Sequence, residues 1–287
     1  MMRTVKRIGL IICVTAFLGA SVAAAKDRPT RKIVLIAGKK SHGPGEHEYE
    51  KSVKLLKIML DRSPNLQGLR TETYFNGWPN DPKALDTADT IVFISDGMEW
   101  LPFGTDERIA ILQREMDRGC GFVTFHFSTY IPFKYEKQAL EWNGGFVQYD
   151  GPGGFDDPKT INADVTLPSP KHPISTGVHA YHYKDEFYYK IHFRPDASAI
   201  QPIMRVPVLS NNLQEQTVAW AVQRKNGGRS VGITYGHYYE NWRLENYRKL
   251  ILNAIVWTAG AKVPRNGVRS TFVETSEVDQ IIQGGGK

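Results

Sequence analysis

The stretch Lys32–Glu50, KIVLIAGKKSHGPGEHEYE, decides how this chain is read: a short apolar run, a loop rich in glycine and histidine, then the start of a helix. Ile33 to Ile36 are four β-favouring residues, preceded by basic residues and soon followed by Gly38. An apolar run this short suits a strand covered on both faces, as the strands of parallel sheets are. The loop after it sets His42, Glu46 and His47 around Gly43, Pro44 and Gly45. In an open α/β sheet, loops leaving the carboxyl ends of strands are where ligands bind, so the question for the rest of the chain is what else arrives at that edge.

The sequence has 287 residues, of which 41% are hydrophobic and 11% aromatic, enough for a substantial core. Its beginning reads as an export signal over residues 1–25: Arg3, Lys6 and Arg7, then the apolar run Ile8 to Leu18, then small residues from Ser21 to Ala25. The apolar run is too short to span a bilayer, and no membrane span is expected after cleavage. Removing that leader leaves 33 of the 36 basic residues against 30 acidic ones, a net charge of +3, with no Lys/Arg run. Nucleic acid is therefore not expected as a partner. One cysteine, Cys120, would remain, which rules out an intrachain disulfide in an exported, periplasmic or extracellular chain.

Along the chain, strands are predicted at Leu69–Phe75, Asp89–Asp96 and Gly121–His126, alternating with helices at His47–Arg62 and after Thr105, an N-cap followed by Asp106 and Glu107. That alternation implies an α/β fold with a doubly wound, mostly parallel sheet. From Ile131 to Met204 the pattern gives way to a Gly-, Pro- and aromatic-rich insertion around the site, with short strands at Ile161–Leu167 and Phe187–Tyr189. Thr217–Gln223 and Ser230–Tyr235 return as strands, and Asn241–Ala259 is a helix. The reading is one domain over residues 26–264 and a polar, frayed tail over 265–287.

If the strands run in parallel, His42, Glu46 and His47 follow the first, Asp96 ends the third, His126 ends the fourth and His237 follows a later one, so all gather at one edge. Two chemistries fit. Imidazoles with a carboxylate are ligands for a divalent transition metal such as zinc, with His42 and His47 as candidates. Alternatively, the histidines and acids bind polyol hydroxyls and act as acid and base without metal. In Asp185-Glu186 only one carboxylate can face the site, because strand neighbours point opposite ways, and Asp185 is taken as that one. Aromatics including Tyr189 and Trp242 suit the apolar faces of sugar rings.

The set SHGPGEHE after the first strand, GFVTFH at the fourth, KHPISTGV at residues 171–178, DEFYY at 185–189 and VGITYGHYYENW before a helix ending NAIVWTAG resembles the ThuA-like (trehalose utilisation) family, over about Arg31 to Pro264. That family belongs to the class I glutamine amidotransferase-like superfamily, and the resemblance implies a flavodoxin-like fold and a link to carbohydrate metabolism. An amidotransferase carries its cysteine nucleophile on the turn after the fourth strand. His126 stands there in this chain and Cys120 lies at the strand's beginning, so the thioester route has no nucleophile. The resulting expectation is action on a carbohydrate or ketosugar derivative by hydrolysis or proton abstraction. His126, His237 and Asp185 would be catalytic, and Glu46, Asp96, Tyr189 and Trp242 would bind the sugar-like substrate. A non-catalytic sugar-binding module on the same fold is the alternative.

Overall fold

The computed structural model describes residues 30–154, 158–207 and 215–284; the expected leader lies outside them. Strand β1 (Arg31–Ala37) is followed by helix α1 (Tyr49–Asp61), β2 (Leu69–Tyr74), β3 (Thr90–Ile94), α2 (Asp106–Asp117) and β4 (Gly121–Phe125). Ile33, Leu35 and Ala37 of β1 point into one apolar cluster, Val34 and Ile36 into a second on the other face. This division is why the strand reads as a continuous apolar run rather than an alternating one. Truncating such a fully buried leucine to alanine costs roughly 2–5 kcal/mol, so both layers hold the sheet in place. Helix α2 begins as its sequence predicts, with the Thr105 hydroxyl accepting from the Arg108 amide.

The insertion contains α3 (Glu136–Trp142), β5 (Gly145–Phe146), the ribbon of β6 (Lys159–Asp164) and β7 (His182–Phe187), and β8 (His192–Phe193). The chain then runs through β9 (Ile200–Val206), β10 (Gln216–Gln223), β11 (Arg229–Ile233), α4 (Glu245–Thr258) and α5 (Thr275–Gly284). One seven-stranded sheet has the order β2-β1-β3-β4-β11-β10-β9. Within it β2, β1, β3, β4 and β11 are parallel, while β10 and β9 extend the edge antiparallel. The carboxyl ends of β1, β3, β4 and β11 therefore share one edge, which is the condition the candidate site needs. Among the described residues no helix is long and apolar enough to cross a membrane.

Two local expectations change. The strand expected at Phe187–Tyr189 lies earlier, at His182–Phe187, pairing antiparallel with β6. Residues 265–284 are ordered rather than frayed: Val268 and Val278 are buried, and Asp279 of α5 pairs with Lys54 of α1 at 2.6 Å, while residues 285–287 lie outside the described residues. The segment's apolar signal is sparse because α5 buries only a narrow stripe.

His172 shows how a turn fixes a titration. Its Nδ1 accepts from the Ile174 amide at 3.2 Å, capping the short turn Pro173–Ser175, and its ring lies 4.8 Å from Trp257. Burial, helped by the Arg229 charge, lowers its pKa from 6.5 to about 4. The neutral ring's contribution to stability is thus complete above pH 6.5 and is lost as pH falls toward 4. His172→Asn keeps a capping acceptor and removes the titration. Its urea midpoint should fall less than that of the wild type across this interval, and parallel curves for the two proteins would refute the assignment.

Candidate functional site

The loops after β1 and β11 are laced together by their backbones. The His47 amide donates to the His237 carbonyl at 3.0 Å, and the Tyr239 amide donates to the Gly45 carbonyl at 2.9 Å. These bonds set His47 and His237 side by side although 190 positions separate them. His126 arrives from the turn after β4. There Ser128 Oγ accepts from the Phe125 amide at 2.7 Å, and Thr129 Oγ1 donates to the His126 carbonyl at 2.6 Å. His47 and His126 both sit at positive φ, +43° and +53°. A non-glycine residue held there costs about 1–3 kcal/mol and marks a position the surroundings over-determine.

Four donor atoms converge. His47 Nε2 lies 2.9 Å from His126 Nε2 and 3.0 Å from His237 Nδ1. Glu186 Oε2 lies 3.5 Å from His126 Nε2 and 3.3 Å from His237 Nδ1. The outward ring nitrogens fix the tautomers. His126 Nδ1 faces the Thr234 carbonyl at 3.2 Å, which can only accept, so this nitrogen carries the proton. The Tyr49 hydroxyl donates to Asp96 Oδ1 at 2.6 Å, so it accepts from His47 Nδ1 at 2.7 Å. The two Nε2 atoms facing each other therefore have lone pairs and no proton between them. At 2.9 Å this arrangement is repulsive unless a cation, or donors such as the Tyr188 hydroxyl and a protonated His237 Nδ1, engage those lone pairs, and a set of three imidazoles and one carboxylate is what a divalent transition metal takes.

The surroundings favour the neutral imidazole at two of the three rings. Burial lowers the pKa of His47 and pushes that of His126 well below the ordinary imidazole value, so both are neutral. At His237 burial works downward, but hydrogen bonding and charge from Glu186, aided by Glu46, raise the pKa overall. Glu186 is lowered in turn: burial opposes this, and the His237 contact outweighs it. The Tyr188 hydroxyl lies 2.9 Å from His126 Nε2, and its ring stacks on the His126 ring at 4.6 Å. Burial foremost, with the Glu186 charge, keeps that phenol protonated.

The expected residues fall into three groups. His126, His237 and His47 form the cluster, and Glu46 approaches its rim, Oε1 lying 3.6 Å from His237 Nε2. His42 is not among the four converging donors. It stacks on His47 at 3.6 Å between ring centroids and forms a separate trio with His47 and Asp96. Asp96 acts from behind, accepting from Ser41 at 2.7 Å as well as from Tyr49.

Asp185 does not face the cluster; Glu186 does. Buried Asp185 accepts from the amides of Glu186, Gly236 and His237 at 2.9, 3.1 and 3.0 Å, and so holds the backbone that carries His237. Burial raises its pKa to about 7 against the pull of those donors. Gly236 has φ +122°, and a Cβ there would run into the Phe125 ring. Tyr189 and Trp242, expected as substrate contacts, belong to the apolar core; Trp242 Nε1 donates to Ser52 and its ring stacks on Phe125. Ser128 is buried with its hydroxyl engaged, and the Cys120 thiol is buried with its pKa pushed up to about 12. Glu186, Tyr188 and Tyr49 were missed. Alternate burial of Tyr183, Asp185 and Phe187 against Lys184 and Glu186 is the signal that separates the two carboxylates.

Residues 34–258 match the family model described as ThuA, trehalose utilisation. A solved ThuA-like protein from Bacteroides uniformis superposes with a TM-score of 0.60 at 14% identity, over 83% of this chain and 94% of that one. Another, from Parabacteroides merdae, gives 0.59 at 16% identity, over 85% and 98%. PurLQS from Thermotoga maritima gives 0.46 at 11% identity, over 80% and 97%. No curated protein matches. With its family match covering most of the sequence and its sheet shared with two solved relatives, the chain belongs to the ThuA family.

Proposed function

We propose that this protein is an exported, metal-dependent enzyme acting on a carbohydrate or ketosugar derivative, by hydrolysis or by proton abstraction next to a carbonyl. The observation that carries the reading is the pair of deprotonated imidazole nitrogens, His47 Nε2 and His126 Nε2, held 2.9 Å apart beside His237 and Glu186. The sugar assignment is supported by the family's description, trehalose utilisation.

A divalent metal such as zinc held by these four residues would polarise a carbonyl oxygen or lower the pKa of bound water. The chain supplies the rest. Tyr188 keeps its proton on a hydroxyl aimed at the cluster, placed to donate to an oxygen on which negative charge develops. The Asp96–Tyr49–His47 chain fixes the His47 tautomer, as acceptors behind metal-bound histidines do. Asp185 anchors the His237 backbone, so the carboxylate pair divides into a structural member and a functional one. Glutaminase chemistry lacks its thiolate at the strand-end turn.

Metal analysis of the purified protein should find about one divalent ion per chain, and His126→Ala should lose both the ion and turnover on sugar substrates. Wild-type protein that takes up no ion when loaded with zinc would overturn the reading. Metal without turnover on any sugar would leave only a binding role. Tyr49→Phe removes one hydroxyl behind His47. It should weaken metal affinity about 10- to 100-fold with the thermal midpoint little changed, and an unaltered affinity would show that Asp96 does not act through Tyr49.

A further inference from the structure

The edge that carries the cluster also opens into a cleft of about 720 Å³, within the range usual for small-molecule sites. Its inner wall includes His42, Asp96 and Phe127. His42 and Phe127 both lie against the His47 ring, with centroids at 3.6 and 5.8 Å, so the cleft ends at the cluster. At its mouth stands Trp100, 62% exposed, the one large hydrophobic side chain left exposed among the described residues. Leaving an indole in water is unfavourable, and the loop that presents it is rigidly built. A Cβ at Gly97 would run into the Phe127 carbonyl and Tyr130. Met98 sits at φ +56° with its amide bonded to the Tyr130 carbonyl at 2.9 Å, and the Trp100 amide donates to the Gly97 carbonyl at 3.1 Å.

Cations outnumber carboxylates in the cleft lining, Lys39, Lys40 and Arg108 against Asp96 and Glu99. Lys39 and Arg108 line it, and neither has an ion-pair partner among the described residues. The Arg108 guanidinium lies 5.4 Å from the Trp78 ring and donates to the Pro102 carbonyl, which leaves its charge uncompensated. Lys40 has only a 3.6 Å approach to Glu48, a carboxylate that Lys51 approaches at 2.9 Å. Of the two carboxylates in the lining, Asp96 is turned to the hydroxyls of Ser41 and Tyr49 and keeps its charge, and Glu99 is the other.

We propose that this cleft binds an anionic sugar, its ring stacked on Trp100 and its carboxylate or sulfate directed to Lys39 and Arg108, with the reacting end toward the cluster past His42. The proposal rests on the reading of that cluster as the reaction centre. An indole face suits the apolar C–H side of a sugar ring. A planar guanidinium and an ammonium lining one cleft suit an oxyanion better than a neutral hydroxyl.

Isothermal titration of the purified protein with methyl β-glucuronide, glucose 6-sulfate and methyl β-glucoside tests it. At low salt one of the two anionic probes should bind at least tenfold more tightly than the glucoside, and which one does so identifies the anion. Added salt should shrink that advantage. Lys39→Ala with Arg108→Gln should bring the anionic and neutral probes level, whereas Trp100→Ala should weaken all of them about tenfold and Trp100→Phe should recover part of the loss. Because Trp100 is exposed, its two variants should keep the wild-type thermal midpoint. Equal affinity for glucoside and both anions, or unchanged binding by Trp100→Ala, would overturn the proposal. Sugar binding should persist in metal-free His126→Ala protein. Anionic-sugar binding by wild-type protein that takes up no ion when loaded with zinc would therefore sink the reaction-centre reading alone, and a metal-loaded protein with no preference for anionic sugars would sink this proposal alone.

Discussion

Two imidazole nitrogens without a proton between them, His47 Nε2 and His126 Nε2 at 2.9 Å, repel unless a donor or positive charge engages their lone pairs. The structure resists that repulsion from three directions. The His126 ring is pinned through Nδ1 to the Thr234 carbonyl, at the end of the neighbouring strand. The His47 ring is pinned through Tyr49 to Asp96, at the end of β3. Both residues take a left-handed backbone that most side chains avoid. Rotating either ring away would free a buried donor, which costs about 1–3 kcal/mol for each unsatisfied group, so the rings stay aimed at one another. The cluster is thus a property of the parallel sheet: the strand ends that carry it cannot separate without breaking the core.

Much of the fold was legible because its signals are local. Ile33–Ile36, Thr90–Ile94 and Gly121–Phe125 are short apolar runs bounded by polar or glycine residues, and all three are fully buried strands. From the parallel direction of β1, β4 and β11 the meeting of His47, His126 and His237 follows. What the sequence does not state is which side of a ribbon faces the site. Asp185 and Glu186 are adjacent carboxylates, and choosing between them requires knowing that β7 packs Tyr183, Asp185 and Phe187 into the core. Tyr49 was illegible for a different reason: its partner Asp96 is 47 positions away, and an aromatic in the first turn of an amphipathic helix reads as packing. Trp242 is the converse case. An aromatic near a predicted site reads as a platform, and here Ser52 and Phe125 take it into the core.

The loop between β1 and α1 belongs both to the cluster and to the cleft. Its first half, Lys39 to His42, lines the cleft, and its end delivers His47. Glu48 Oε1 accepts from the Gly45 amide at 2.9 Å, and the strand-like pairing of Glu46 with Tyr238 ties the middle of the loop to the β11 side. A loop held at both ends and in the middle is already ordered before a ligand arrives, so binding need not supply the entropy of ordering it. The same bonds make the two halves one body. A ligand that contacts Lys39 or His42 is thereby referred to the position of His47, and the distance from the cleft to the reacting atoms is set by the backbone rather than by side-chain choice.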